Sequence, residues 1–116
     1  MRILLADDED KVRSALRLLL EQEPGLNVVA EADGLLAEVQ AAAPEVVLLE
    51  WKLPGLSAAI LWKLRSFCPG VGLVAMSGRS EARLAALNAG ADADAFVGKG
   101  EPPEGLLAAL EGVSKG

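Results

Sequence analysis

Five polar residues of this 116-residue sequence stand just beyond the ends of predicted strands, where their types could bind a cation and a phosphoryl group. They are, in chain order, Asp7, Asp8, Glu50, Ser77 and Lys99. Parallel strands bring their carboxyl ends to one edge of a sheet, and open α/β sheets bind their ligands at that edge. We therefore expect these side chains to share a small cleft.

The chemistry of such a cleft follows from its charges. Two carboxylates about 4 Å apart repel each other by roughly 4 kcal/mol at an effective dielectric constant of 20. Lys99 supplies one positive charge, and a Mg²⁺ ion held by carboxylate oxygens and water would supply more. Ser77 and Lys99 are suited to bind phosphoryl oxygens. Each of these residues would also be ordinary in a solvated loop or turn. Periodicity alone leaves both interpretations, a shared site or unrelated surface residues, open.

The element that must position this cleft is the aliphatic run 46–49, which ends at Glu50 and a Pro54-Gly55 turn. Four consecutive aliphatic residues are typical of a parallel strand buried on both faces. Four further strands are predicted at 2–6, 26–30, 71–76 and 95–97.

Helical spacing of apolar residues predicts five helices between and after these strands. The first begins near Lys11, with Asp8 or Asp10 as its N-cap, and Arg13 lies off its apolar face. The other four are predicted to begin near residues 33, 56, 81 and 103. Ala15, Ala43 and Phe67 are placed on the apolar faces of the first, second and third helix. Pro-Gly pairs end the first and third helices.

Five strands alternating with five helices predict an α/β fold with a parallel sheet and helices on both faces. The length predicts one domain over residues 1–116. A net charge of −6 argues against a nucleic-acid or anionic membrane surface. Cys68 is the single cysteine, so a disulfide framework and a cysteine-based metal site are excluded. There is no histidine, so the usual proton shuttle is absent. No signal peptide or membrane span is apparent, and the cytoplasm is the expected location.

Four segments together resemble the receiver domain of bacterial two-component response regulators. They are residues 3–8, residues 46–50 with 53–55, residues 74–78, and residues 90–92 leading to 96–99. The resemblance spans almost the whole chain, in order and with the family's spacing. It implies a flavodoxin-like (CheY-like) three-layer fold with five helices and a five-stranded parallel sheet of strand order 2-1-3-4-5.

The resemblance also implies roles for the strand-end residues. Asp7 and Asp8 match the acidic pair that binds Mg²⁺, together with the side chain at position 50 and the backbone carbonyl of Lys52. Position 50 is the phosphoacceptor of the family.

Two further positions match groups that contact the phosphoryl oxygens, and a third matches an aromatic switch. Ser77 and Lys99 correspond to the hydroxyl and ammonium groups that assist phosphoryl transfer. Phe96 corresponds to the aromatic side chain that changes rotamer on activation.

The sequence departs from the family at its centre, because Glu50 replaces the phosphoacceptor aspartate. The extra C–C bond moves the carboxylate by about 1.5 Å, into the space a phosphoryl group would fill. We expect ordinary phosphorylation to be lost or impaired and the Mg²⁺ site to be weakened. Glu50 then either imitates phospho-aspartate partially, with one charge instead of nearly two, or only disables the switch. Ser57-Ala58, in place of the family's Asp-Gly, is a second departure.

The function predicted is an atypical receiver that signals by protein contacts and is not an enzyme. The resemblance implies a sensor kinase or output domain as partner, and a homodimer through the face of the fourth helix, fifth strand and fifth helix. Residues 99–104 resemble the loop of receivers that precede DNA-binding domains, so any DNA contact would belong to a further output domain.

Two alternatives remain open at this stage. A metal-dependent phosphoryl-transfer enzyme could use Asp8 and Asp10 as nucleophile and acid, and a purely structural interaction module would use none of these residues. A nucleotide-binding domain is disfavoured, because its first strand-helix turn needs glycines where residues 7–10 are all acidic.

Overall fold

The strands of the predicted sheet and the first, third and last of the predicted helices are found among the residues that the structure describes. The computed structural model describes residues 1–7, 9–32, 41, 43–50, 58–77, 94–98 and 102–115. The strands in these ranges are β1 (Arg2–Ala6), β2 (Asn27–Ala32), β3 (Val46–Glu50), β4 (Gly72–Ser77) and β5 (Ala95–Gly98). The helices in the same ranges are α1 (Asp10–Glu21), α2 (Ala58–Phe67) and α3 (Pro103–Lys115).

The five strands form one sheet in the order β2-β1-β3-β4-β5, with every neighbouring pair parallel. This confirms the predicted strand order. The register pairs Ala6 of β1 with Leu49 of β3, and Glu50 of β3 with Met76 of β4. The carboxyl ends of β1, β3 and β4 therefore lie at the same level of one edge.

Successive side chains of each strand point to opposite faces, so the sheet carries a core on each side. We call these the α2-side core and the α1/α3-side core. The α2-side core comprises Leu4, Ala6, Val47, Leu49, Leu61, Leu64, Val71 and Leu73. The α1/α3-side core comprises Ile3, Leu5, Leu20, Val46, Leu48, Val74, Met76, Val97, Leu106 and Leu110. All five residues of β3 are buried, as the aliphatic run predicts.

Two Pro-Gly pairs follow helices and turn the chain back toward the sheet. Gly25 has a φ of 86° and Gly70 a φ of 85°, in the left-handed region where a side chain would be strained. Helix α1 ends at Glu21 and α2 ends at Phe67, so both predicted stops are confirmed.

Three residues predicted on apolar helix faces are exposed instead. Ala15 lies at the edge of the half-buried stripe of α1. Ala43 is exposed with a φ of 46°, a left-handed conformation at a position where the following proline disfavours the helical region. Phe67 is 47% exposed because the buried stripe of α2 runs through Leu61 and Leu64 to Cys68.

The start of α1 also differs from the prediction. The helix begins at Asp10, and its N-cap is Glu9, which makes no side-chain capping hydrogen bond. Asp10 is therefore not the cap, and Asp8 lies outside the described residues. The predicted fourth helix and most of the predicted second helix also lie outside them. No helix in the described part of the chain is both long enough and apolar enough to span a membrane.

Candidate functional site: a buried acidic pair at the carboxyl edge of the sheet

Two acidic side chains are buried side by side at the carboxyl edge of the sheet. Asp7 is 0% exposed and Glu50 is 6% exposed, and they are the buried charged residues among those described. Ala6 pairs with Leu49, and Asp7 and Glu50 each follow one of these two residues, on strands about 4.8 Å apart. Successive side chains of β3 point to opposite faces, and Leu49 points into the α2-side core. The Glu50 side chain therefore lies on the α1/α3 side of the sheet, as Leu48 does.

The loop from β1 to α1 is held by hydrogen bonds around Asp7. Its Oδ1 atom accepts the backbone N–H of Glu9 at 2.8 Å, which closes a tight turn. Its backbone carbonyl accepts Nη1 of Arg13 at 2.7 Å. Nη2 of Arg13 donates to Oδ1 of Asp10 at 2.6 Å, an ion pair across the first turn of α1. The loop is thereby tied to the helix through the residue that carries the buried carboxylate.

The donor set of this edge suits a hard divalent cation. Oδ2 of Asp7 and Oε2 of Glu50 are both fully buried oxygen atoms. Mg²⁺ is typically held by one or two carboxylates with water completing the shell, so this adjacent pair fits it. No group of three metal-ligating side chains occurs among the described residues. Asp8 and Lys52, the other predicted ligands, lie outside that part of the chain.

The remaining predicted site residues are only partly placed. Ser77 is the last residue of β4, one residue beyond the Met76 that pairs with Glu50, so its backbone lies at the same edge. Phe96 is half-buried in the middle of β5, where it pairs with Ala75. Lys99 lies outside the described residues. The structure thus brings together Asp7, Glu50 and the backbone of Ser77.

Arg13 is a site residue that the sequence interpretation missed. The helical pattern placed it off the apolar face of the first helix, as an ordinary surface residue. Its side chain is in fact only 20% exposed and bridges the acidic loop. The signal was the i, i+3 spacing of Asp10 and Arg13 directly after an acidic run, since residues three apart meet on a helix.

Comparison with known proteins identifies the architecture that this edge belongs to. The sequence model of the response regulator receiver domain matches residues 3–111. The chain belongs to this family. Receiver domains of response regulators act in two-component signal transduction, and this chain is a receiver domain of that kind. The resemblance inferred from the sequence motifs is therefore confirmed.

A curated relative and two solved structures illustrate the relationship. The nitrate/nitrite response regulator protein NarL of Escherichia coli is 32% identical over 120 residues, covering 98% of this chain and 55% of NarL. A LuxR-family response regulator from an Aurantimonas species superposes with a TM-score of 0.85 and 28% identity, covering 98% of this chain and 84% of that chain. A CheY-like response regulator receiver domain protein from Methanospirillum hungatei superposes with a TM-score of 0.80 and 26% identity. The match covers 98% of this chain and 93% of that chain.

These comparisons also set the extent of the match. The chain spans about half the length of the curated relatives it matches first, at 55% of each. The structural neighbours confirm the CheY-like fold with its parallel sheet in the order 2-1-3-4-5.

Proposed function

We propose that this receiver domain is atypical: it does not accept phosphate in the ordinary way and signals through protein contacts. The observation that carries the proposal is the burial of Glu50, which is 6% exposed at the carboxyl end of β3. Its longer side chain stays within the acidic edge, beside Asp7, instead of turning out to solvent. Phosphoryl transfer tolerates little displacement of the attacking atom, so the added methylene displaces the nucleophile that the family uses.

The same burial supports a partial imitation of phospho-aspartate. When ionised, the Glu50 carboxylate places a negative charge at the edge where a receiver otherwise gains a phosphoryl group. That charge is one unit, whereas a phosphoryl group carries nearly two, so the imitation is incomplete. In this proposal Ser77 and Lys99 contact the Glu50 carboxylate in place of phosphoryl oxygens, and Phe96 responds as the switch aromatic.

A Mg²⁺ ion is part of the proposal. Asp7, Asp8 and Glu50 would hold it with their carboxylates and Lys52 with its backbone carbonyl. When bound, the ion supplies the positive charge that two neighbouring buried carboxylates require. We expect its affinity to be lower than in a receiver with aspartate at position 50, because the longer side chain alters the ligand geometry.

The proposed partners are proteins. A sensor kinase or an output domain would contact the single domain formed by residues 1–116, and any DNA contact would belong to a DNA-binding output domain. The net charge of −6 argues against direct DNA contact by this domain. A homodimer through the face of β5, α3 and the predicted fourth helix completes this part of the proposal.

We propose signalling through contacts rather than catalysis, and one observation weighs against the enzyme alternative. That alternative needs Asp10 as an acid acting beside Asp8. The Asp10 side chain is 86% exposed and paired with Arg13. A general acid must lie within hydrogen-bond reach of the group it protonates, and here the Asp10 carboxylate is engaged by Arg13 instead.

Phosphate acceptance from acetyl phosphate tests the proposal. With Mg²⁺ present, intact-mass spectrometry should show no phosphorylated wild-type chain and a phosphorylated fraction for Glu50→Asp, which restores the family's nucleophile. Glu50→Gln is the matched control, since it keeps the side-chain length and removes the nucleophile.

Two results would contradict the proposal. Phosphorylation of the wild-type chain at Glu50 would show that the longer carboxylate is a working acceptor. A Glu50→Asp variant that binds Mg²⁺ and stays unmodified would place the block elsewhere, at Ser57-Ala58 first.

A further inference from the structure

We infer that Arg13 is a positioning residue for the cation site, an inference that rests on the proposed Mg²⁺ binding. Its guanidinium joins two parts of the acidic loop: Nη1 donates to the backbone carbonyl of Asp7 at 2.7 Å, and Nη2 donates to Oδ1 of Asp10 at 2.6 Å. Arg13 does not contact the cation in this arrangement. It acts through the backbone of the residue whose carboxylate does.

The bond to a main-chain carbonyl is what gives Arg13 control over the Asp7 carboxylate. Fixing that carbonyl fixes the peptide plane after Asp7, and the Oδ1 bond to the N–H of Glu9 fixes the carboxylate relative to the same loop. Oδ2 of Asp7 is then directed by two restraints and remains buried. Groups that orient metal ligands in this way typically change metal affinity by 10- to 100-fold when removed.

Arginine is the residue type that this geometry requires. The two acceptors lie on different residues, and a planar guanidinium can reach both at once with separate nitrogen atoms. A lysine has one compact ammonium group on a flexible stem, so it would keep the charge and hold the loop less firmly. The Arg13 side chain as a whole is also mostly enclosed, being 20% exposed.

The charge of Arg13 acts in the opposite direction to its positioning role. A positive group near the site repels a divalent cation, so its removal would tighten binding if charge were its main effect. Removing Arg13 would also take this partner away from the Asp10 carboxylate, so the charge effect alone predicts tighter binding, and a loss of affinity would have to come from positioning. The two roles therefore predict opposite results for the same substitution.

Magnesium titration by isothermal calorimetry on the whole chain separates these roles. We expect Arg13→Met to weaken Mg²⁺ binding about tenfold, and Arg13→Lys to weaken it by a smaller factor. Arg17→Met is the matched control, because Arg17 on the same helix pairs with Glu21 at 3.0 Å with both side chains about half exposed. It should bind like the wild type. Unchanged or tighter binding by Arg13→Met would overturn the inference.

A metal-free measurement keeps this inference separate from the proposed function. Hydrogen exchange of the Glu9 amide reports the bond to Asp7 Oδ1, and it should accelerate in Arg13→Met, less in Arg13→Lys and not in Arg17→Met. A wild-type chain that binds no Mg²⁺ would refute the proposed metal site, and the Glu9 amide would still decide whether Arg13 orders the loop. Equal exchange rates in all variants would overturn the positioning role.

Discussion

Asp7 and Glu50 stand one residue beyond the paired positions Ala6 and Leu49, so two neighbouring parallel strands end in adjacent buried carboxylates. Burying two like charges together is unfavourable for folding unless a positive group or a cation accompanies them or one carboxyl holds a proton. Their placement at the ligand-binding edge of the sheet is therefore more consistent with a binding role than with a role in stability. The site should be a place where added cation stabilises the fold.

The first prediction is that Mg²⁺ raises the melting temperature through Asp7. At ten times its dissociation constant, a ligand stabilises the folded state by about 1.4 kcal/mol, which corresponds to a rise of about 5 °C for a domain of this size. Asp7→Asn keeps an Oδ1 acceptor for the N–H of Glu9 but removes the charge. We expect it to abolish most of the Mg²⁺-dependent rise measured by differential scanning calorimetry.

A control for this experiment is Glu104→Gln, which removes an exposed acid from the first turn of another helix, α3. It should keep the full Mg²⁺-dependent rise. An Asp7→Asn variant that responds to Mg²⁺ as strongly as the wild type would show that the ion binds elsewhere on this acidic chain.

The second prediction concerns the close approach of β4 and α3 at Gly72. A Cβ atom at this position would lie 2.0 Å from Cγ1 of Val113 and 3.5 Å from Cγ2 of Val46. Valine is stiff about χ1, so it cannot move aside cheaply. We expect Gly72→Ala to lower the free energy of unfolding by about 1–3 kcal/mol in urea denaturation.

A double-mutant cycle tests the cause of that loss. Gly72→Ala should cost much less in a Val113→Ala background, because the clashing methyl group is gone. Gly112→Ala is the control, since a Cβ atom there meets nothing within 4 Å and alanine favours the helix by up to about 1 kcal/mol. Equal costs of Gly72→Ala in both backgrounds would mean that backbone strain, not Val113, sets the penalty.

The sequence predicted the sheet well because its strands are short, apolar and separated by strong turn signals. The run 46–49 indicated a strand buried on both faces, and the strand order followed from the family resemblance; both are confirmed. Asp7 and Glu50 were found for the same reason, since strand ends fix the position of whatever follows them. The roles assigned to Ser77, Phe96 and Lys99 from the family resemblance stay predictions.

Contacts that depend on loop geometry could not be found in this way. The bond from Arg13 to the carbonyl of Asp7 depends on how the loop folds back on α1, and periodicity assigns Arg13 only to a helix face. Periodicity also misplaced the buried face of α2. The predicted stripe runs through Phe67, whereas the observed stripe runs one residue later, through Cys68. No pattern of residues indicated the contacts of Asp94.

The last prediction concerns Asp94, which joins β4, β5 and α2. Its Oδ2 atom accepts the backbone N–H of Leu73 at 2.8 Å and lies 3.2 Å from Nη2 of Arg65, while its own N–H donates to the carbonyl of Leu73 at 2.9 Å. Asp94→Ala would leave the N–H of Leu73, a buried residue, without this acceptor. We expect a loss of about 1–3 kcal/mol in the free energy of unfolding.

Two further variants separate the hydrogen bond from the ion pair. Asp94→Asn keeps an oxygen for the N–H of Leu73, and Arg65→Met removes the guanidinium; each should cost less than about 1 kcal/mol, because the ion pair is partly exposed. We therefore expect urea denaturation of the three variants to show that Asp94→Ala is clearly the least stable. If Asp94→Asn were as unstable as Asp94→Ala, the charge of Asp94, and not its bond to the backbone of β4, would hold this end of the sheet to α2.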